Sequence, residues 1–199
     1  MTDSPTHSSH AEGEDSLLRR SVAGDERAFS ELVRRHQDPV FGLIHRMVRE
    51  DELAEELAQD VFLKAFQGLD KFRSESSFGT WVYRIAVNHV RDYLGSRTAR
   101  DRKREKSLDG EDLSAFEPIS TLPRPDELLQ ESETAEFFAR SLEALDHHLK
   151  VAFLLRHQEG RSYADMAEIL GITEGNAKVR VHRGREKILL VLRDAGYGV

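Results

Sequence analysis

Asn176, Arg180, Arg183 and Lys187 recur at helical spacing near the C-terminus, with Lys178, His182 and Arg185 beside them. Ala177, Val181, Gly184 and Ile188 make a separate row at the same period, which predicts the stripe that packs. Arg presents a planar fork to guanine O6 and N7, and Asn pairs with two atoms of adenine. A helix that buries one stripe and offers these groups elsewhere has the chemistry of a major-groove reader. The chemistry is recognition by hydrogen bonding, not bond making.

Positioning that helix needs a partner helix and a sharp turn. Ser162 is a favourable N-cap, and Asp165 three residues on completes a capping-box pattern. Gly171 supplies a left-handed stop, Ile172 a plug for the core, and Thr173 a cap for the next helix, with Glu174 in its first turn. The pattern predicts a helix-turn-helix over about residues 163–182. The plainer reading is an amphipathic helical pair with a solvated face; the tight glycine turn and double capping favour the helix-turn-helix.

The N-terminal half holds further constellations. Asp51 to Leu69 predicts one helix, with Ala54, Leu57, Val61 and Ala65 on its apolar stripe and Glu55, Gln59, Phe62 and Phe66 on another row. Acidic groups ending in aromatics suit a docking face for a basic helical partner. A solvated face beside two core phenylalanines explains the row equally well. A second helix, predicted from about Phe78 to Gly95, puts Trp81, Arg84, Asn88 and Arg91 on one row, with Val82, Ile85 and Ala86 toward the core. The loop before it adds Lys71, Phe72 and Arg73. Aromatics interleaved with Arg and Asn fit a platform for unpaired bases; the competing reading makes Phe78 and Trp81 core residues.

The chain has 199 residues, 39% of them hydrophobic and 33% charged, with a net charge of −7 and no Cys. Disulfides and thiolate metal sites are thereby excluded. No apolar run approaches membrane-spanning length, and the N-terminus lacks the basic and apolar regions of a signal peptide, so a cytoplasmic protein is expected. The distribution of charge matters more than its sum. Arg97, Arg100, Arg102, Lys103, Arg104 and Lys106 form a basic cluster, after which Asp109 to Glu136 is strongly acidic. Pro118, Pro123 and Pro125 interrupt any helix over 107–125. The expected architecture is all-α: a disordered tail over 1–13, a helical domain over 14–106, a flexible acidic linker over 107–125, and a second helical domain over 126–199. Within the first domain, Pro39 is expected to open a helix carrying Phe41, Ile44 and Met47. Helices are expected to resume near Asp126.

An enzyme reading finds little support. His147 and His148 are adjacent and so point apart on a helix, His7 and His10 fall in the tail, and no phosphate loop or nucleophile motif is present. No metal, cofactor or small-molecule substrate is expected. A stand-alone transcriptional regulator would need a receiver or ligand-binding domain, and the N-terminal half has no alternating strand–helix pattern.

Glu55-Glu-Leu-Ala-Gln-Asp-Val-Phe-Leu-Lys-Ala-Phe66, Phe78-Gly-Thr-Trp-Val-Tyr-Arg-Ile-Ala-Val-Asn88 and Asp92-Tyr-Leu resemble region 2 of bacterial extracytoplasmic-function (ECF) sigma factors of the sigma-70 family. Tyr163 to Arg185 resembles region 4 of the same family, in the family's order and separation. The resemblance implies a factor that binds core RNA polymerase, at its clamp helices and flap, and directs initiation at promoters with minus-ten and minus-thirty-five elements. It also implies an anti-sigma partner. Residue by residue, it implies polymerase contacts along 56–69, among them Glu56, Gln59, Asp60 and Phe62, to which the acidic row read from the residues adds Glu55. Minus-ten recognition falls to Asn88 and the Lys71–Ser77 loop with its Lys71 and Arg73, to which the row read from the residues adds Trp81, Arg84 and Arg91. Minus-thirty-five recognition falls to Lys178, Val179, Arg180, His182 and Arg183, to which the row read from the residues adds Asn176. The chain departs from the family pattern at Asp146, where Pro is common, at Asn176-Ala177, where Thr-Val is common, and at Val179, where a polar residue is frequent.

Overall fold

The computed structural model describes residues 13–72, 76–106 and 138–194, with residues 98–106 in backbone only. Every regular element among the described residues is helical. Two compact units are present, residues 1–86 and 87–199, and the division between them falls inside one long helix. Among the described residues no helix is long and apolar enough to cross a membrane.

The first run of elements is α1 (Glu14–Val22), α2 (Glu26–Val48), α3 (Asp51–Gln67), a 3₁₀ turn (Leu69–Lys71) and α4 (Phe78–Lys106). Gly24, at φ 93°, breaks the chain between α1 and α2. Asp25 then caps α2, accepting from the N–H groups of Arg27 and Ala28 at 3.0 and 3.2 Å. α2 ends on Arg49 at φ 58°, whose N–H donates to the His45 carbonyl. The predicted stripe of α3 is buried: Ala54, Val61 and Ala65 are fully enclosed and Leu57 is 2% exposed. Leu32, Val40, Leu43 and Ile44 of α2 are also fully enclosed, and α2 and α3 pack together.

The structure corrects two helix boundaries. Pro39 does not open a helix; it lies exposed inside the uninterrupted α2. An interior proline costs about 3 kcal/mol through a lost hydrogen bond and a clash one turn back. The adjacent Val40, Leu43 and Ile44 are each wholly buried, at about 1.5–3 kcal/mol apiece, so tertiary packing wins. Gly95 likewise does not end α4, which continues to Lys106. One exposed glycine costs about 1 kcal/mol in a helix, and the Arg, Lys, Ala and Glu residues that follow are good helix formers. Residues 1–12 of the expected tail, the linker, and the helix start near Asp126 lie outside the described residues.

In the C-terminal run, α5 is described over residues 138–143, followed by α6 (His147–His157), α7 (Tyr163–Leu170) and α8 (Glu174–Asp194). Lys150 to Leu155 of α6 are all buried, which makes it the central helix of its unit. α8 lies against it through the buried Ala177, Val181, Gly184 and Ile188, the predicted stripe.

Candidate nucleic-acid and polymerase interfaces

α7 starts on the capping box that the sequence predicts. The Asp165 N–H donates to Ser162 Oγ at 3.0 Å, and the Ser162 N–H donates to Asp165 Oδ2 at 3.1 Å. Gly171 turns the chain at φ 63°, and Thr173 Oγ1 accepts from the Asn176 N–H at 3.2 Å to start α8. Helix, turn and second helix thus form a helix-turn-helix, with α8 as its outer member.

The side chains of α8 are arranged more specifically than their spacing reveals. Arg180 Nε donates to Asn176 Oδ1 at 3.0 Å, so the expected readers Asn176 and Arg180 form one hydrogen-bonded pair. Lys178 Nζ lies 5.5 Å from the centre of the Tyr163 ring, a cation–π contact that draws it toward α7. His182 Nδ1 is 3.2 Å from Glu186 Oε2. Lys187 instead reaches Asp146 Oδ2 at 2.9 Å, and its ammonium holds that carboxyl below the usual carboxylate range. Lys187 therefore leaves the reading row and braces the start of α6. A cleft of ≈ 580 Å³ gathers Lys178, Val179, His182 and Arg183 with His157 and Tyr163. Sequence reasoning missed His157 and Tyr163, whose approach depends on how α6 and α7 meet α8. Burial, with Arg156 and Arg185 beside it, lowers the pKa of His157, so it adds no fixed charge to the cleft at neutral pH.

On α3, Glu55, Gln59 and Phe62 line a second cleft, ≈ 470 Å³ in volume, opposite Val33, Gln37, Asp38 and Phe41 of α2. Glu56 and Asp60 do not line it; Glu56 is exposed and Asp60 half-buried. Past the cleft, Leu63 and Phe66 are 54% and 46% exposed. Phe66 also touches Phe29 at 5.1 Å between ring centres, so it is neither pure core nor pure surface.

A chain of rings continues inward from Phe29 to Phe78 at 6.3 Å, Phe78 to Trp81 at 5.9 Å, and Trp81 to Phe72 at 5.0 Å. Phe78 is fully buried, as the core reading has it. Trp81 is half-buried, and its indole lies so close over Gly68 that a Cβ there would come within 3.3 Å of it. The indole seats Phe72 at one end of the 73–77 connection. At the other end Ser77 Oγ accepts from the Thr80 N–H at 3.1 Å and caps α4. Gly68 was not foreseen, and Phe72, expected on a platform for unpaired bases, is seated against the Trp81 indole. Lys71 is exposed on the 3₁₀ turn, and Arg73 lies outside the described residues. Arg84 and Asn88 are half-buried along α4, and Arg91 is exposed beside Asp92. Among the described residues no group of three or more metal-ligating side chains is gathered.

Residues 32–100 match the Sigma-70 region 2 family and residues 138–188 the Sigma-70, region 4 family. The RNA polymerase sigma-H factor of Pseudomonas aeruginosa is 33% identical over 180 residues, covering 89% of this chain and 92% of that protein. The ECF RNA polymerase sigma-E factor of Escherichia coli is 33% identical over 173 residues, covering 86% and 90%. In fold the chain is similar to CnrH in complex with the cytosolic domain of CnrY, with a TM-score of 0.67, 24% identity, and coverage of 93% and 99%. It is also similar to the sigma factor RpoE of Bartonella quintana bound to the anti-sigma factor NepR, with a TM-score of 0.60, 22% identity, and coverage of 83% and 96%. The chain belongs to the ECF sigma factors of the sigma-70 family. That family comprises transcription initiation factors rather than enzymes.

Proposed function

We propose that the acidic and aromatic face of α3 docks core RNA polymerase and that α8 reads the minus-thirty-five element, while Lys71, Arg73, Trp81, Arg84, Asn88 and Arg91 serve the minus-ten element. The observation that carries the reading is the division of labour on α8. Its buried stripe accounts for packing, which leaves Asn176, Lys178, Val179, Arg180, His182 and Arg183 available to DNA. The net charge of −7 opposes strong binding to DNA by the free chain, so polymerase supplies the missing affinity. On this reading the protein works in the cytoplasm. An inhibitory protein partner completes the proposal, since RpoE, of similar fold, is captured with an anti-sigma factor.

Run-off transcription by core polymerase, with and without the chain, on a library of promoters tests the function. Transcripts from a defined promoter subset, appearing only with both components, are expected. Equal DNA binding by the chain alone and with polymerase would point to a stand-alone regulator and refute it. Reversing two charges, Glu56→Lys with Asp60→Lys, should weaken association with core enzyme by about tenfold or more at unchanged helicity. A folded double variant with wild-type affinity would remove α3 from the polymerase interface.

A further inference from the structure

We propose that Val179 selects a thymine: its isopropyl group packs against the C5-methyl of one thymine in the upstream duplex element. The inference rests on the reading of α8 as the minus-thirty-five reader and names the base chemistry at one of its positions. Val179 plays no part in the packing of α8. The stripe Ala177, Val181, Gly184 and Ile188 fills that role, and at 3.6 residues per turn Val179 lies roughly 170° around the axis from the stripe's centre. It is 47% exposed, whereas Val181 is 6% and Ala177 0% exposed. A β-branched residue is also a poorer helix former than Ala, Lys or Arg, so helix stability gives it no reason to be there.

A lone exposed valine is unremarkable on most surfaces. This one stands at the middle of a polar reading face, four of whose other members are already oriented. Arg180 is hydrogen-bonded to Asn176, Lys178 leans over Tyr163, and His182 is paired with Glu186. The face therefore presents an apolar centre within a polar rim. In the major groove the one apolar feature of a base edge is the thymine methyl. Against cytosine or guanine at the same place, the isopropyl group would leave a donor or acceptor without a partner. The valine thus attracts an A·T pair and disfavours G·C at one position without making any hydrogen bond.

The test uses the full chain assembled with core polymerase. The upstream element is first selected from a promoter library randomised in that region. Each thymine of the selected element, on either strand, is then replaced singly by deoxyuridine, which removes the methyl and leaves base pairing intact. One replacement should lower promoter occupancy about fourfold, the equivalent of one buried methyl group. In Val179→Ala, a substitution that favours the helix, the ratio between thymine and uracil at that position should fall close to one. Absence of any A·T pair from the selected element, uracil within twofold of thymine everywhere, or an unchanged ratio in the variant would overturn the inference. Arg183→Ala, taken through the same selection, separates the two levels. If it alters the selected element while uracil is silent, α8 still reads the element and only the role of Val179 falls. If it selects the wild-type element, the reading of α8 falls and takes this inference with it.

Discussion

Gly184 sets how closely α8 approaches α6, and substituting it gives effects of opposite sign for small and large side chains. A Cβ at this position would lie 3.4 Å from the Leu149 carbonyl oxygen and 3.6 and 3.8 Å from Cβ and Cδ2 of Phe153. Those are ordinary van der Waals separations, so a methyl group fits and gains contact. Alanine also relieves the cost of a glycine inside a helix, about 1 kcal/mol. Gly184→Ala should therefore stabilise the C-terminal unit by about 0.5–1 kcal/mol, raising its unfolding midpoint by a few degrees. Gly184→Leu adds three more carbons where backbone and ring already stand, and should cost about 1–3 kcal/mol through overpacking. Thermal unfolding of the full chain followed by far-UV circular dichroism reads both changes. The single tryptophan, Trp81, lies in the N-terminal unit, so its fluorescence transition should not move. A destabilised Gly184→Ala, or a silent Gly184→Leu, would show that α6 and α8 do not meet at Gly184 and Phe153.

Ser162→Ala removes the hydroxyl that accepts from the Asp165 N–H; it should cost about 1 kcal/mol and speed amide exchange in the first turn of α7. Glu31 accepts from Arg34 and Arg35 at 2.7–2.9 Å, which holds its carboxyl at about 2 instead of the usual 4.5. Because the folded value is the lower one, its contribution is present above pH ~4.5 and is lost as pH falls toward 2. Carbon-detected NMR titration should find that depressed midpoint, and Glu31→Gln should flatten stability over the same window. Asn88→Ala should relax base preference at one minus-ten position and slow open-complex formation, checked by permanganate footprinting; normal melting with an unchanged preference would remove the role. Gly68→Ala brings a methyl within 3.3 Å of the Trp81 indole and 3.2 Å of the Lys64 carbonyl oxygen, so tryptophan emission should shift and melting at the minus-ten element should slow. Unaltered emission would show that the indole does not rest on this glycine.

Local signals in the sequence carried far in this chain. The capping box at Ser162, the left-handed Gly171 and the buried stripes of α3 and α8 follow from residue types and spacing, and the structure shows each of them. The misread boundaries, Pro39 and Gly95, are places where a helix-breaking residue stands on an exposed face while its neighbours pack or propagate. Propensity is local and burial is not, so the sequence pattern overweights the breaker. In the candidate sites, the residues of α8 were legible as a set, but their pairings were not. Asn176 with Arg180 depends on rotamers, and Lys178 over Tyr163 on the angle between helices. The seating of Phe72 on Trp81 depends on the bare surface at Gly68, for which a glycine one residue past a helix is only a generic signal.

The ring chain from Phe66 through Phe29, Phe78 and Trp81 to Phe72 ties α2, α3, α4 and the 3₁₀ turn into one packed set. No ring in it can leave without uncovering its neighbours, so these elements make a single cooperative opening unit in native-state hydrogen exchange. Amides beneath the rings should share one protection level set by that common opening. α1 packs on α2 and on the 3₁₀ turn of this unit. It is held by the buried Leu17 and Leu18 and by the pair of Glu14 with His36 at 3.0 Å, whose ring touches Phe78 at 5.3 Å, so only its terminal first turn should exchange earlier. The same cooperativity makes Phe66, although half in solvent, a handle on the whole set: whatever covers that ring on the surface raises the protection of amides as far away as the seat of Phe72.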